Sequence, residues 1–531
     1  MKTHFLVTLL SLILLAFSCN NSPDGVKTIS TDTLKDKIAG GWAGKMIGVT
    51  YGAPTEFRAQ SRMFEDSIKW KPSNSVESMW QDDIYVQLTF LMTMDKFGVD
   101  APVKKFQELF AKSGYPLWHA NMQARKNYFD SIFAPASGSP EFSMHADDID
   151  FQIEADYIGF MCPGMPQTAL NMADKIGHIM NYGDGVYGGV FVSALYAEGF
   201  FETDINKVIE KALSAIPKES DYSKMVMEVI KLHDQNPSDW KASWKELETK
   251  WGNVDICGAG SSFNIDAKLN GAYIVMGLLY GDGDPLKTME ITTRCGQDSD
   301  CNPSNAMAVL GVIKGFSGLP ADMQAGVKSA GDSVFINTTY SFNTAVASTN
   351  KYALDLIVQN GGKVNGKNIS VKTQVPVAKA LEVSYPDLVF DKSISVFDEK
   401  GWQFSGKWSV HEVPGGSTNP AIKQSMVAGD EGAEATINFT GTGISIEGNW
   451  CRDGGKADIY VDGSVHRSID TYYFFANQEH TTSIWHAMNL KPGDHQVRVV
   501  VKGEKRPESE GTRVYLTKAF IFRTAPKKSD Q

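Results

Sequence analysis

Gly40-Gly41-Trp42-Ala43-Gly44-Lys45-Met46-Ile47-Gly48-Val49-Thr50-Tyr51-Gly52-Ala53-Pro54-Thr55-Glu56-Phe57 sets glycine at positions 40, 44, 48 and 52 and then breaks at a proline. Residues four apart lie near one face of a helix. Glycine inside a helix costs about 1 kcal/mol relative to alanine, and for Gly40 and Gly44 close packing against a second helix explains it. Pro54 forces the chain out of the helix, which leaves Glu56 on a loop from which a carboxylate can reach a cleft.

Two acidic pairs stand in matching settings. Gln81-Asp82-Asp83 precedes the apolar stretch from Ile84, and Gly296-Gln297-Asp298-Ser299-Asp300-Cys301 precedes the apolar stretch from Ala306. Either pair alone could cap a helix and complement its dipole. Together they suggest two helix N-termini presenting hard oxygen ligands to one shared point, suited to magnesium, manganese or calcium rather than zinc.

The remaining composition sets bounds. With 531 residues and 42% hydrophobic content the chain is long enough for two or three domains. A net charge of -11, from 51 Lys and Arg against 62 Asp and Glu, gives no support to a nucleic-acid partner. Residues 1–18 read as an export signal, a basic start followed by an apolar run too short to span a bilayer. Ala16-Phe17-Ser18-Cys19 resembles a bacterial lipobox, so Cys19 is expected to carry a lipid and residues 19–30 to act as a tether. The expected location is the periplasm or the outer membrane, with the membrane reached through the lipid alone. Cys162, Cys257, Cys295, Cys301 and Cys451 form no disulfide framework. Most read as buried thiols, with Cys295 and Cys301 the one pair placed to bridge.

Periodicity divides the chain. Residues 31–362 read as all-α, with amphipathic or fully apolar helical segments such as 104–110 and 270–280. Residues 363–386 read as a linker. Residues 387–525 carry short alternating strands, among them 435–439, 443–448, 457–463 and 496–501, with Asp462-Gly463 and Pro492-Gly493 as turns, and these predict a β-sandwich. The expected architecture is multi-domain, a helical bundle followed by an all-β sandwich.

The order and setting of three motifs resemble the ADP-ribosylglycohydrolase family: residues 44–57 with their Gly-x-Pro-x-Glu ending, the Asp82-Asp83 helix, and residues 296–300. The resemblance covers residues 36–318. It implies an orthogonal helical bundle in which Asp82, Asp83, Asp298 and Asp300 ligate two divalent ions, usually magnesium, with Glu56 on a mobile loop beside them. Two departures concern the ligands. Gln81 stands where the family has threonine, and its amide oxygen can still serve a hard cation; Cys301 also replaces a threonine, and its thiol suits magnesium poorly. One ion in place of two is therefore open, and Gln81 joins the candidate ligands.

The middle of the chain departs further, with Asp147, Asp148, Asp150, Glu154 and Asp156 in place of the family's segment. A solvated acidic face is one reading. Interleaved Ile149, Phe151 and Ile153 favour a pocket, which makes Asp148, Asp150 and Glu154 candidates for substrate hydroxyls, with Asp184 on a further glycine-rich loop. His119, His145 and His178 read as packing and surface rather than a zinc site.

These parts imply a metal-dependent glycosyl hydrolase in which metal-bound water attacks a glycosidic bond, with Glu56, Asp83 and Asp298 as the catalytic set. Export favours a glycan fragment as substrate over an ADP-ribosyl acceptor. The C-terminal strands resemble carbohydrate-binding-like modules, and Trp402, Trp408, Trp450, Trp485 and residues 472–475 offer either core or a sugar-stacking surface. The alternatives are a true ADP-ribosyl-acceptor hydrolase and a catalytically silent surface lipoprotein that captures glycans.

Overall fold

The computed structural model describes residues 25–412, 423–475 and 480–525. Residues 1–18 and Cys19, with the lipidation expected there, lie outside the described residues. No helix among the described residues is long and apolar enough to cross a membrane.

Helices occupy the first part of the chain. They are α1 (Thr31–Gly52), α2 (Asp82–Phe97), α3 (Val103–Ala111), α4 (His119–Phe129), α5 (Asp150–Glu154), α6 (Asp156–Phe160), α7 (Pro166–Gly177) and α8 (Asp184–Gly199). They continue as α9 (Ile205–Leu213), α10 (Asp221–Gln235), α11 (Trp240–Trp251), α12 (Ala267–Gly281), α13 (Pro285–Arg294), α14 (Cys301–Lys314), α15 (Ala321–Ser329) and α16 (Phe342–Gln359). The central contact is α1 against α14. A Cβ added to Gly40, Gly44, Gly48 or Gly52 would stand 2.1, 2.3, 2.2 or 2.0 Å from the backbone oxygen of Gly311, Met307, Pro303 or Ser299. The partner number falls by four as the glycine number rises by four, so the two segments run antiparallel with their backbones touching. Packing thus explains all four glycines, not only the first two, and it fixes the start of α14 beside the end of α1.

Strands β1 (Val26–Ser30), β2 (Lys363–Asn365) and β3 (Asn368–Lys372) form a small antiparallel sheet in the order β1-β3-β2. The last residues of the expected tether and the first of the expected linker are therefore paired strands, with Val26 opposite Lys372 and Ser30 opposite Asn368. Alternation over so few residues is too short to read in a sequence. The rest of the linker is strapped to the helices. Gln374 accepts from the Thr168 amide at 2.9 Å, His178 meets Glu382 at 3.0 Å, and Tyr385 donates to the Ser143 carbonyl at 2.6 Å.

The C-terminal strands are β4 (Leu388–Ser395), β5 (Trp402–Ser405), β6 (Ser409–Glu412), β7 (Gln424–Ala428), β8 (Glu434–Gly441), β9 (Gly443–Trp450), β10 (Lys456–Val461), β11 (Ser464–Asp470), β12 (His480–Ala487), β13 (Gly493–Val501) and β14 (Val514–Thr524). They make two antiparallel sheets, β11-β10-β13-β8-β5 and β12-β9-β14-β7-β6, with β4 also on β14. Asp462 and Gly463 both take positive φ between β10 and β11, the conformation of a two-residue hairpin turn.

The sheets lie against the helical region. Arg506 bridges Asp130 of the helical region and Asp470, His486 meets the Pro140 carbonyl at 2.8 Å, Lys126 lies over Trp450, and Phe474 packs on Phe129 at 4.9 Å. Trp402, Trp450, Trp485 and Tyr473 are buried. These aromatics are core and interface, which leaves the sugar-stacking surface without them.

Candidate active site and metal centre

The site forms where two chain segments are locked together. Past Pro54, the Phe57 amide donates to Gln297 O at 3.1 Å, the Gln297 amide donates to Ala59 O at 2.9 Å, and the Thr55 and Ser299 hydroxyls meet at 2.7 Å. Gln297 has a φ of 55, which turns the chain sharply into the acidic motif. This lacing holds Glu56 against Asp298 and Asp300, far away in sequence.

Both acidic pairs lie at helix N-termini, where the Asp83 amide donates to Asp82 Oδ1 at 3.2 Å. Gln81 is the N-cap of α2 and Asp300 that of α14, and neither side chain accepts a hydrogen bond from the first turn. The other carboxylates are aimed elsewhere. Asp83 Oδ1 and Oδ2, Asp298 Oδ1 and Asp300 Oδ1 are buried with no hydrogen-bond partner among the described residues. A buried, unpaired carboxylate oxygen is costly, so this convergence fits a hard divalent cation, which takes carboxylate oxygens as ligands. Asp82 is half-buried beside them, and Gln81 stands next to it in the chain.

Mutual repulsion and burial mark the electrostatics. Burial pushes Asp298 and Asp300 above the ordinary carboxylate range, and they share the effect as a pair. Burial likewise raises Asp82 and Asp83. Glu56 is solvent-open, but Asp300 beside it, with partial burial and then Asp82 and Asp83, raises its pKa to about 8. Asp298, Asp300 and the Cys301 thiol stand close enough to share one ion. Burial and the aspartates push the thiol well up, so it stays protonated beside them. Cys295 and Cys301 are both free, and the bridge considered between them is absent.

One cation counters these charges, and sequence reading missed it. The fully buried Lys45 ammonium lies 2.8 Å from Asp156, 3.7 Å from Asp83, and donates to the Ile153 carbonyl at 2.7 Å. Asp156 also accepts from Tyr196 at 2.5 Å and Asn305 at 3.0 Å. A lysine inside the apolar, glycine-spaced stretch 38–49 was the available signal.

The structure divides the substrate candidates. Glu154 joins the acidic cluster: it is buried, one oxygen accepts from Asn121, and Oε2 has no partner among the described residues. Burial first, then Asp150, hold it well above its ordinary pKa. Asp150 instead caps α4, accepting from the Ala120 and Asn121 amides at 3.3 and 3.0 Å. Asp184 accepts from the Tyr222 amide at 3.1 Å and lies 3.6 Å from Lys268, which also holds Asp147 and Asp266. Its carboxylate balances a buried lysine. Asp148 is engaged by His145 and Cys257, and so two of the histidines read as packing gather with an acid and a thiol. His178 alone keeps a packing role, between Asp174 O and Glu382.

A family model described as ADP-ribosylglycohydrolase matches residues 30–345. Among solved structures, the chain is similar to one titled "ADP-ribosylglycohydrolase-related protein complex", with a TM-score of 0.43 and 11% identity over 61% of this chain and 99% of that one. It is also similar to a family 35 carbohydrate-binding module from Clostridium thermocellum, with a TM-score of 0.19 and 15% identity over 25% of this chain and 99% of the module. No curated protein matches the sequence.

Proposed function

The chain belongs to the ADP-ribosylglycohydrolase family of hydrolases, and from that premise we propose that it cleaves a glycosidic bond with one or two divalent cations, magnesium first, held by Asp82, Asp83, Asp298 and Asp300. The observation that carries this reading is the set of buried oxygens on Asp83, Asp298 and Asp300 that have no hydrogen-bond partner among the described residues, beside Glu56. Manganese and calcium suit the same oxygen donors. Bound there, such ions supply Lewis-acid stabilisation and orient neighbouring sugar hydroxyls and a water.

The remaining chemistry falls to the side chains. Neutralising the aspartates removes the negative field that holds Glu56 at about 8, so its carboxylate ionises and accepts a proton from the attacking water. Lys45 fixes Asp83 and Asp156 from behind. Glu154, whose carboxyl burial holds well above its ordinary pKa, remains a candidate for a sugar hydroxyl. Phe57 and Phe263 meet at 5.0 Å beside Glu56 and present an apolar wall. Trp80 and Trp118 are 67% and 46% exposed, next in the chain to Gln81 and His119, and offer ring faces to a sugar.

The substrate in this reading is a glycoside or glycan fragment. The export signal and Cys19 support a working place in the periplasm or at the outer membrane, where glycans abound. The exposed Trp80, adjacent in the chain to Gln81, supports the same substrate. Family membership itself favours the second reading, hydrolysis of an ADP-ribosyl acceptor. Competition between simple glycosides and ADP-ribosyl-arginine or ADP-ribosyl-serine at fixed magnesium tests the two. The expected result is a higher kcat/KM for the glycoside. A preference for ADP-ribosyl substrates returns the protein to the second reading, and binding without turnover on either class makes it a capture protein.

A further inference from the structure

Besides the oxygen-rich cluster, a second group of side chains converges on one atom. His145 Nδ1 stands 2.7 Å from Asp148 Oδ2, Cys257 Sγ 3.4 Å from it, and His119 Nδ1 3.8 Å from it. One ligand atom from each of the four residues lies within 4.8 Å of all the others. They come from the start of α4, the turn before α5, and the loop between α11 and α12. Local packing of one element does not account for such a meeting.

The surroundings place these groups firmly. His119 takes a φ of 44, a region that residues other than glycine seldom occupy. The next two amides are pinned by Asp150. Hydrogen bonding alone leaves the group incomplete, because His119 is too far from Asp148 Oδ2 to bond it. A thiol nucleophile would need an imidazole base bonded to its sulfur, whereas here thiol and imidazole both address the carboxylate.

We propose that His119, His145, Asp148 and Cys257 bind one borderline-soft divalent cation of the zinc type, separate from the hard-oxygen centre. Two imidazoles, a carboxylate and a thiolate are four ligands of the kinds that zinc takes tetrahedrally. Their two negative charges balance the ion. Zinc bonds of about 2.0–2.3 Å put tetrahedral ligands about 3.3–3.8 Å apart, so a contraction of about 1 Å closes the set. On uptake Cys257 releases its thiol proton, and the proton shared by His145 and Asp148 leaves to solvent.

The ion would fasten a wall of the active site. Cys257 belongs to the loop 252–266, which also carries Phe263. That ring stacks on His119 at 5.5 Å and meets Phe57, the neighbour of Glu56. Four protein ligands make it a structural centre rather than a place for substrate.

Cobalt(II) titration of the metal-stripped full chain in excess magnesium tests this. One equivalent of cobalt should give tetrahedral ligand-field bands and a thiolate charge-transfer band, both bleached by one equivalent of zinc. Cys257→Ser should abolish the charge-transfer band, and His119→Gln should weaken cobalt binding at least tenfold. Each variant is first checked for wild-type circular dichroism. Cys301→Ser and Asp298→Asn should leave the bands intact. The proposal is overturned if wild type shows no tetrahedral spectrum at one equivalent. It is equally overturned if the charge-transfer band survives Cys257→Ser or vanishes with Cys301→Ser, which would assign the ion to the acidic cluster.

Discussion

Asp298→Asn should make the metal-free protein more stable at pH 8 while abolishing its stabilisation by magnesium. Asp298 is buried with an unpaired Oδ1, and burial pushes its pKa from 3.8 up to about 7. A carboxyl group raised in this way binds more protons in the folded chain than in the unfolded chain between about pH 4 and 7. Stability of the metal-free protein therefore falls as pH rises through that window and levels off above it. At 1.36 kcal/mol for each tenfold step, holding the group ionised at pH 8 costs on the order of 4 kcal/mol, shared with Asp300 because the two titrate together. Asparagine has nearly the same volume and no charge. Urea unfolding in EDTA from pH 5 to 8.5, repeated with magnesium, reads both halves of the prediction. The variant's lead should close only near pH 4, and it should widen by about 2–3 kcal/mol between pH 5 and pH 8. Magnesium should stabilise wild type alone. A variant less stable than wild type in EDTA at pH 8, or a gap that does not narrow toward pH 5, refutes the idea that these carboxylates are strained by repulsion and await a cation.

Glu56→Gln should lower kcat by roughly 10²–10⁴-fold with little change in magnesium affinity, as expected for a general base; parallel losses in calorimetric metal binding and in rate would make Glu56 a ligand. Gly48→Ala should destabilise by about 1–3 kcal/mol, because the new Cβ meets Pro303 O at 2.2 Å, although alanine favours an isolated helix by about 1 kcal/mol. A thermal melt that rises instead would show that α1 and α14 are not held by backbone contact. A chain ended after Lys372 keeps β1 to β3 paired but bares the helical surface that Phe474, Trp450 and Arg506 cover. It should melt lower than the whole protein and self-associate in sedimentation, and an unchanged, monodisperse helical piece would make the two regions independent.

What the sequence settled is what local spacing encodes. Four-residue glycine spacing marked a close helix contact, acidic doublets ahead of apolar runs marked helix starts that carry carboxylates, and the change from helical to alternating periodicity across residues 363–386 separated helices from sheets. Asp462-Gly463 was legible as a turn for the same reason, since both residues must accept positive φ. The tertiary structure decided which polar groups are left without partners. Asp148, Asp150, Glu154 and Asp184 look alike in the chain, yet one faces two imidazoles and a thiol, one caps α4, one keeps a free buried oxygen, and one balances Lys268. Lys45 and Asp156 lie 111 positions apart and meet only in the folded chain, where Gly41 of α1 packs closely on Phe160 of α6. Periodicity reports which face of an element is buried; it carries no information about the charge that arrives there from another part of the chain, and that charge sets whether a carboxylate is a strut, a cap or a ligand.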